Sequence, residues 1–186
     1  MTLPPPPIAF DETVSKVIAC VEDRFSNHPG CADEFWLPTD RAGYLAWLDR
    51  FVSRQLPSFG PYQDALAPGS DFVYHSILTP GLNLGLITPD EVVSAALAHP
   101  RVNLASVEGF IRQVIGWREF VRGIDRHLGD RQSQGNFFNH RRALSNAWYV
   151  GATGVPPLDR AIEKTLRYGY AHHIERLMVL SNFMVL

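Results

Sequence analysis

Residues Ala147 to Leu186 read AWYVGATGVPPLDRAIEKTLRYGYAHHIERLMVLSNFMVL, and this stretch holds the strongest fold signals of the chain. Pro156-Pro157 predicts the start of a helix, because proline fits the first helical turn, and Gly169 is a candidate kink within that helix. The helical pattern continues through His172 and His173, at positions that core packing would ordinarily fill with Leu or Ala. Apolar residues then continue to Leu186 without a clear helix stop signal, so we expect that the domain does not finish there.

Apolar residues spaced three and four apart predict helices elsewhere in the chain. Asp11 is the expected cap of a helix that ends before Pro29-Gly30, and Thr39 opens a second helix that Pro57 stops. Thr88 opens a third helix, and Ser106 opens the most amphipathic one. The expected inward residues are Val14, Val17, Ile18, Val21 and Phe25 in the first helix, Leu45, Leu48, Phe51, Val52 and Leu56 in the second, and Val107, Phe110, Ile111, Val114, Trp117, Val121, Ile124 and Leu128 in the last.

Two stretches between these helices are rich in turn-forming residues. Residues 58–86 predict short helical turns and loops, and residues 129–146 predict a polar excursion. Sustained alternation of polar and apolar residues is absent from the sequence, so we expect an all-α, multi-helix fold. Residues 1–10 are interpreted as a Pro-rich linker, and residues 11–186 as one helical domain that is incomplete at its C-terminus.

The composition is that of an ordinary soluble globular protein. The 186 residues have a formal net charge of -2 and are 46% hydrophobic, which gives no global reason to expect a polyanionic partner. Cys20 and Cys31 lack metal-site spacing and follow no secretory leader, so we expect a cytoplasmic protein without a disulfide framework. The apolar runs are shorter than the roughly 18 residues of a membrane span, and we expect no membrane partner.

Two motifs that precede the final helix contain residues that could bind a ligand. In His75 to Pro80 (HSILTP), hydroxyls and backbone donors in a turn can hold a phosphate, although Ser76 and Thr79 could instead only cap local helical turns, which spacing alone favours. In Gly116 to Phe120 (GWREF), Trp117 can stack on a flavin or a base and Arg118 can grip a phosphate. Alternatively, Trp117 is a core residue and Arg118 pairs with a carboxylate of its own helix. Because Gly116 has no side chain, it would permit another group to approach the helix closely at this position.

The paired histidines are the third candidate. Zinc is not expected, because adjacent histidines on a helix point about 100° apart and the HExxH order is absent. Either His172 or His173 alone could be a hydrogen-bonded core residue. Two histidines in an otherwise apolar segment favour an acid–base role.

These motifs, in this order, resemble the flavin-binding helical domain of the cryptochrome/photolyase family over roughly Phe35 to Leu186. The family's phosphate turn, its Trp-Arg-Glu-Phe helix, its Trp-x-x-Gly-x-Thr-Gly-x-Pro-x-x-Asp block and its Gly-aromatic-x-His segment are similar to Ser76–Gly85, Trp117–Phe120, Trp148–Asp159 and Gly169–His172. Phe59 to Asp64 (FGPYQD) and Gly116 resemble the prokaryotic branch related to (6-4) photolyases.

The resemblance implies a parent protein that uses FAD and blue light to repair pyrimidine dimers or (6-4) lesions in DNA, with residues 11–186 as part of its FAD-binding domain. It implies a cofactor site of Tyr62, His75, Ser76, Leu78, Thr79, Gln113 and Arg118, and a damaged-DNA surface of Arg112, Trp117, Arg122, Arg141 and Arg142. His173, supported by His172, would be the proton donor at the lesion. The alternatives are a cryptochrome-like light sensor and a helical remnant that does not hold FAD alone; by itself, the chain is expected to be inactive.

Two positions depart from the family pattern. Pro157 stands where iron–sulfur members have a cluster-ligating cysteine, and the two cysteines of this chain cannot supply the four thiolates of a [4Fe–4S] cluster. Leu177 stands where animal (6-4) enzymes have a second histidine, one helical turn after His173. We therefore expect neither an iron–sulfur cluster nor a two-histidine relay of that form.

Overall fold

A computed structural model of the chain describes residues 11–67, 69–100 and 102–186. The predicted linker at residues 1–10 lies outside this described part. The structure is 64% helical, and its described residues form no strand, which confirms the predicted all-α fold. Within the same residues, no helix combines the length and hydropathy needed to cross a bilayer.

The described helices are joined by connections of unequal length, the longest of which lie between α1 and α2, α3 and α4, and α7 and α8. They are α1 (Glu12–Phe25), α2 (Arg41–Arg54), α3 (Leu56–Tyr62), α4 (Thr79–Asn83), α5 (Pro89–Ala98), α6 (Leu104–Ile111), a π-helical turn (Arg112–Gly116), α7 (Trp117–Gln134), α8 (Ala147–Val150), α9 (Pro156–Tyr168), a second π-helical segment (Glu175–Ser181) and α10 (Asn182–Val185). The chain divides into two compact units. Among the described residues, the first unit contains Pro38–Ala65 and Phe72–Asn139, and the second contains residues 11–37, Leu66–Asp71 and His140–Leu186.

An aromatic cluster forms the core of the first unit. Phe51 of α2 and Phe110 of α6 have ring centroids 4.8 Å apart, and Phe59 of α3 meets Phe110 at 5.6 Å. Helices α3 and α6 approach closely because Gly60 has no side chain: a Cβ there would lie 2.8 Å from Ser106 Oγ. That hydroxyl accepts a 2.9 Å hydrogen bond from the Gly60 N–H.

Local sequence signals located most helix starts to within a few residues. Thr88 and Glu91 form a complete capping box at α5. Asp40 rather than Thr39 caps α2, since its carboxylate accepts from the Gly43 N–H at 2.6 Å. Asn103 rather than Ser106 caps α6, with its side-chain oxygen 2.8 Å from the Ser106 nitrogen.

The predicted inward stripes of α2 and of the Ser106 helix are wrong in part. Leu45 is exposed in α2, where Tyr44 and Trp47 are buried instead. In α7, none of the residues is buried, so Trp117, Val121, Ile124 and Leu128 do not belong to a core. A π-helical turn lies between α6 and α7 and shifts the phase of the helix. The phase shift alone does not account for the exposed stripe, because α7 buries no face at all. Helix α7 also continues past Gly129 to Gln134, so the loop begins later than predicted.

The second unit has its core on α9. Leu158, Ala161 and Ile162 of this helix are buried, together with Ala171. Trp36 packs edge to face on Tyr168, with centroids 6.1 Å apart, and its Nε1–H donates to the Tyr168 carbonyl at 3.0 Å.

Helix α1 forms where the sequence predicts it but buries none of its residues. Asp11 caps it as expected, accepting from the Val14 N–H at 2.8 Å. The predicted inward stripe is wrong in part here, because Val17, Val21 and Phe25 are exposed, whereas Val14 and Ile18 are half-buried.

Candidate functional site

The predicted phosphate turn lies in the first unit, in the loop before α4. Two β-branched residues of this loop, Val73 and Ile77, have left-handed backbone angles, with φ of 48° and 54°. Such a conformation costs roughly 1–2 kcal/mol per residue, so the surrounding contacts must impose it. Val73 and Leu78 are buried, and the Trp47 Nε1–H of α2 donates to the Ser76 carbonyl at 2.8 Å. The loop is therefore held in one strained shape.

The short helix α4 is held by contacts at its middle and at its C-terminal end. Gly81 lies on the buried ring of Tyr44, and a Cβ at Gly81 would lie only 2.5 Å from Tyr44 Cδ1. At the C-terminal end, the Arg118 guanidinium donates to Asn83 Oδ1 at 3.4 Å. These contacts leave the predicted ligand-binding residue Thr79 exposed at the start of α4.

The other predicted cofactor residues belong to the same unit. Tyr62 is 49% exposed and stacks on Tyr74 with centroids 5.4 Å apart. His75 is half-buried and meets Phe59 edge to face at 6.0 Å, and Gln113 is half-buried in the first π-helical turn. All seven predicted cofactor residues thus lie within one unit: Tyr62, His75, Ser76, Leu78, Thr79, Gln113 and Arg118.

Sequence reasoning gave no role to Gln63, the residue after Tyr62. Its Oε1 is buried and accepts no hydrogen bond from the described residues. This oxygen faces the backbone of Gly109, where a Cβ would lie 3.1 Å from it. Buried acceptors ordinarily have a hydrogen-bond partner. The position of Gln63 Oε1 beside Gly109 depends on the packing of α3 against α6, so the sequence alone could not indicate it.

Two residues of the GWREF motif, Trp117 and Arg118, differ from the structural alternative. Trp117 is 57% exposed and is not a core residue. Arg118 binds Asn83, and it is Arg122 that pairs within the helix, with its Nη2 at 2.7 Å from the Glu119 carboxylate. Hydrogen bonding to Arg122 lowers the pKa of Glu119. A Cβ at Gly116 would meet no described atom within 4 Å, so this glycine accommodates no close neighbour there.

The remaining residues of the predicted DNA surface are exposed. Arg112 forms an ion pair with Glu108 of α6, and Arg141 and Arg142 lie in the non-helical stretch after α7. Exposed ion pairs of this kind contribute little to stability, so they leave the arginines able to exchange partners.

In the second unit, the glycine-rich block is a structural turn that starts α9. Asp159 accepts from the backbone N–H groups of Thr153 at 2.7 Å and Gly154 at 3.0 Å. These bonds, led by one from the Thr153 hydroxyl, lower the pKa of Asp159. Gly151 and Gly154 have φ of 64° and 81°, which explains why the block needs glycine at both positions.

The paired histidines do not both lie inside a helix, contrary to the prediction. Gly169, with φ of 61°, ends α9 instead of kinking it, and His172 precedes the first residue of the final helical segment. The His172 Nδ1 accepts from the Ile174 N–H at 3.2 Å, as a cap does. His172 is buried and His173 half-buried, and their rings meet edge to face with centroids 5.8 Å apart.

A buried ion pair supports the histidine segment from α9. Lys164 is 3% exposed and pairs with Glu175, and its ammonium also donates to the Asp71 carbonyl at 3.1 Å. The same ammonium lies 5.4 Å from the centroid of the Tyr170 ring, and burial raises the pKa of that phenol. Sequence reasoning did not identify this cluster, because the Gly169 turn separates its members.

Comparison with known proteins identifies relatives along nearly the whole chain. No protein-family model matches it. A (6-4) photolyase of Agrobacterium fabrum is 35% identical over 97% of this chain and 36% of its own length. The deoxyribodipyrimidine photo-lyase of the same organism is 28% identical over 80% of this chain and 31% of its own length.

Two further relatives differ in size and in what they show. An uncharacterised protein of Acanthamoeba polyphaga mimivirus, R853, is 37% identical over 58% of this chain and 85% of its own length. A solved class III photolyase of Agrobacterium tumefaciens shares the fold, with a TM-score of 0.68 at 21% identity, over 95% of this chain and 34% of its own. The chain spans about a third of the length of the photolyases that it matches.

The motif order, the helical fold and the similarity over nearly every residue agree with one another, and the chain belongs to the cryptochrome/photolyase family.

Proposed function

We propose that this chain supplies part of the flavin- and DNA-binding machinery of a photolyase that repairs pyrimidine dimers or (6-4) lesions in DNA. The observation that carries this proposal is the 35% identity to a (6-4) photolyase, which extends over 97% of the chain. Because the chain spans about a third of that relative, the activity is proposed for the longer protein of which this stretch would be a part.

The residues of the first unit fit an FAD phosphate and ribose. The strained loop at Ile77 presents the backbone next to Ser76, and Thr79 offers an exposed hydroxyl at the start of α4. Arg118 reaches the same short helix through Asn83 and would supply a positive charge. Bound FAD would supply light-driven electron transfer, whereas the chain would bind, orient and shield it.

In the second unit, His173 is the proposed proton donor to the lesion. It is half-buried, and its ring makes an edge-to-face contact with the ring of buried His172. Imidazole is suited to this role because its ordinary pKa is close to neutral pH. Arg112, Trp117, Arg122, Arg141 and Arg142 are the proposed contacts to damaged DNA, where cations bind phosphates and an exposed indole can stack on a base.

An iron–sulfur cluster does not fit this chain. Pro157 lies exposed in the first turn of α9 and has no ligand atom in its side chain. The sequence contains two cysteines, Cys20 and Cys31, which are exposed free thiols in the structure. Free thiols are typical of reducing compartments, which supports a cytoplasmic location for the protein.

Flavin retention and lesion repair test the proposal separately. The purified chain is mixed with FAD, desalted, and examined for visible flavin absorbance; we expect retained flavin in the wild type and less in the S76A/T79V double variant. The loaded chain is then illuminated with oligonucleotides that contain a (6-4) or a cyclobutane lesion, and we expect no repair by the chain alone. A chimera in which this stretch replaces the corresponding stretch of the Agrobacterium (6-4) photolyase should restore the lesion in light. Loss of repair in the chimera with flavin still bound would contradict the enzymatic proposal and favour a light sensor.

A second candidate is a helical module that does not catalyse repair. The similarity to R853 supports it, since the shared stretch makes up 85% of that viral protein. On this proposal, the chain would stay colourless after desalting although its helical circular dichroism is normal. Stoichiometric flavin retention would exclude it.

A further inference from the structure

The final helical segment begins with a reciprocal cap made by His172 and Glu175. The Ile174 N–H donates to His172 Nδ1 at 3.2 Å, and the His172 N–H donates to Glu175 Oε2 at 3.2 Å. Ordinary helices use a serine or threonine with a glutamate three residues later in this arrangement. Here an imidazole nitrogen replaces the hydroxyl oxygen.

This cap decides which nitrogen of His172 has the proton. A ring nitrogen that accepts a hydrogen bond from a backbone N–H has no proton of its own, so the proton of the neutral imidazole belongs on Nε2. Addition of a proton to Nδ1 would bring two donors together at the first turn of the helix. The backbone of Ile174 thus selects one tautomer.

Helix α9 in turn fixes the glutamate. Glu175 Oε2 receives both the His172 N–H and the ammonium of Lys164, which is 3% exposed. Asp71 anchors the lysine through its carbonyl at 3.1 Å, and its own carboxylate accepts from Arg160 at 2.7 Å. Because an unpaired ammonium is costly to bury, Lys164 holds the Glu175 carboxylate in one place.

We propose that Lys164 and Glu175 are positioning residues that hold His172 as the neutral Nε2–H tautomer. His172 then fixes the start of the helix and the edge of the His173 ring, and it does not exchange a proton at Nδ1. This divides the pair: His173 donates the proton and His172 orients it. The division of labour rests on the proposed function, whereas the tautomer of His172 does not.

Nuclear magnetic resonance of the purified chain tests the tautomer directly. The histidines are labelled with 15N, long-range 1H–15N spectra are recorded at neutral pH, and H172N assigns the His172 signals. We expect an unprotonated Nδ1 and a protonated Nε2 in the wild type. A wild-type proton on Nδ1, or averaged shifts of the two nitrogens, would overturn the inference.

Variants of the ion pair test its positioning role. We expect K164M and the double variant K164M/E175M to give averaged shifts of the His172 nitrogens, which report a mixture of tautomers. Replacing both charges by apolar side chains of similar volume is commonly tolerated, so the double variant keeps the test valid if K164M alone unfolds. E163Q is the matched control, because it removes a carboxylate of the same helix from an exposed pair with Arg160. Unchanged His172 shifts in the folded double variant would overturn the role of the pair.

The two proposals fail in distinguishable ways. A chain with the expected His172 tautomer that retains no flavin contradicts the proposed function alone. A chain that retains flavin but has Nδ1–H at His172 contradicts this inference alone.

Discussion

The indole N–H of Trp47 donates to the carbonyl oxygen of Ser76 at 2.8 Å, and this bond ties α2 to the strained loop that precedes α4. Trp47 is 8% exposed, so water cannot readily replace the bond. W47F keeps an aromatic ring but removes the donor to the carbonyl of half-buried Ser76. We expect the free energy of unfolding to fall by about 1–3 kcal/mol in urea denaturation, and flavin retention to fall with it.

W117F is the matched control for this substitution. The change of side chain is the same, but Trp117 is 57% exposed on α7. Its effect on the free energy of unfolding should stay within about 0.5 kcal/mol. Equal effects of W47F and W117F would contradict the role given to the Trp47–Ser76 bond.

Gly169 ends α9 with φ of 61°, and a Cβ at this position would meet no described atom within 4 Å. The cost of G169A is therefore conformational, since a side chain disfavours the left-handed region. We expect G169A to lower the free energy of unfolding by about 1 kcal/mol. G123A, at an equally open position inside α7, should instead raise it by up to about 1 kcal/mol, since alanine favours helix over glycine. Thermal or urea unfolding of the two variants measures these changes. A change of the same sign in G169A and G123A would contradict the prediction.

Local signals explain why much of the fold could be predicted from the sequence. Helix caps depend on residues three or four apart, so Asp11 and the Thr88–Glu91 box could be identified without tertiary information. The order of the motifs likewise indicated the family. One of these motifs, Trp148–Asp159, forms a local turn that requires its glycines and Asp159, so its residues can be identified in the sequence alone.

Features that depend on the phase of a helix or on contacts between residues distant in the sequence could not be predicted. The π-helical turn at Arg112–Gly116 leaves no periodic mark in the sequence, and periodicity also did not indicate that Trp117 is exposed. The buried pair of Lys164 and Glu175 forms across the Gly169 turn, so its members share no helical face in the sequence. For the same reason, the role of His172 as a cap was not visible, because the prediction had continued α9 through it.

Glu91 gives a prediction for the dependence of stability on pH. The bond from Arg41, followed by the Thr88 N–H, lowers the pKa of Glu91 from 4.5 to about 2. A carboxyl whose pKa is lower in the folded state stabilises the protein above its unfolded pKa, and this contribution is lost as the pH falls through the folded value. The difference in urea midpoint between wild type and E91Q should therefore be largest above about pH 5 and shrink as the pH falls toward about 2.

S94A serves as the control for E91Q. Ser94 is an exposed residue of the same helix and does not titrate. Any difference in midpoint between wild type and S94A should be the same at each pH. A difference for E91Q that is equally constant with pH would contradict the assigned contribution of the carboxylate.

The proposed DNA contacts include two pairs of arginines. Arg112 and Arg122 form ion pairs with Glu108 and Glu119, and Arg141 and Arg142 lie in the exposed stretch after α7. Each arginine that neutralises a DNA phosphate releases condensed counterions, so its removal lowers the salt dependence of binding. In fluorescence anisotropy titrations with a labelled duplex at several salt concentrations, R141M/R142M and R112M/R122M should each lower the slope of log affinity against log salt by about 2. An unchanged slope in either double variant would show that the pair in question does not contact DNA.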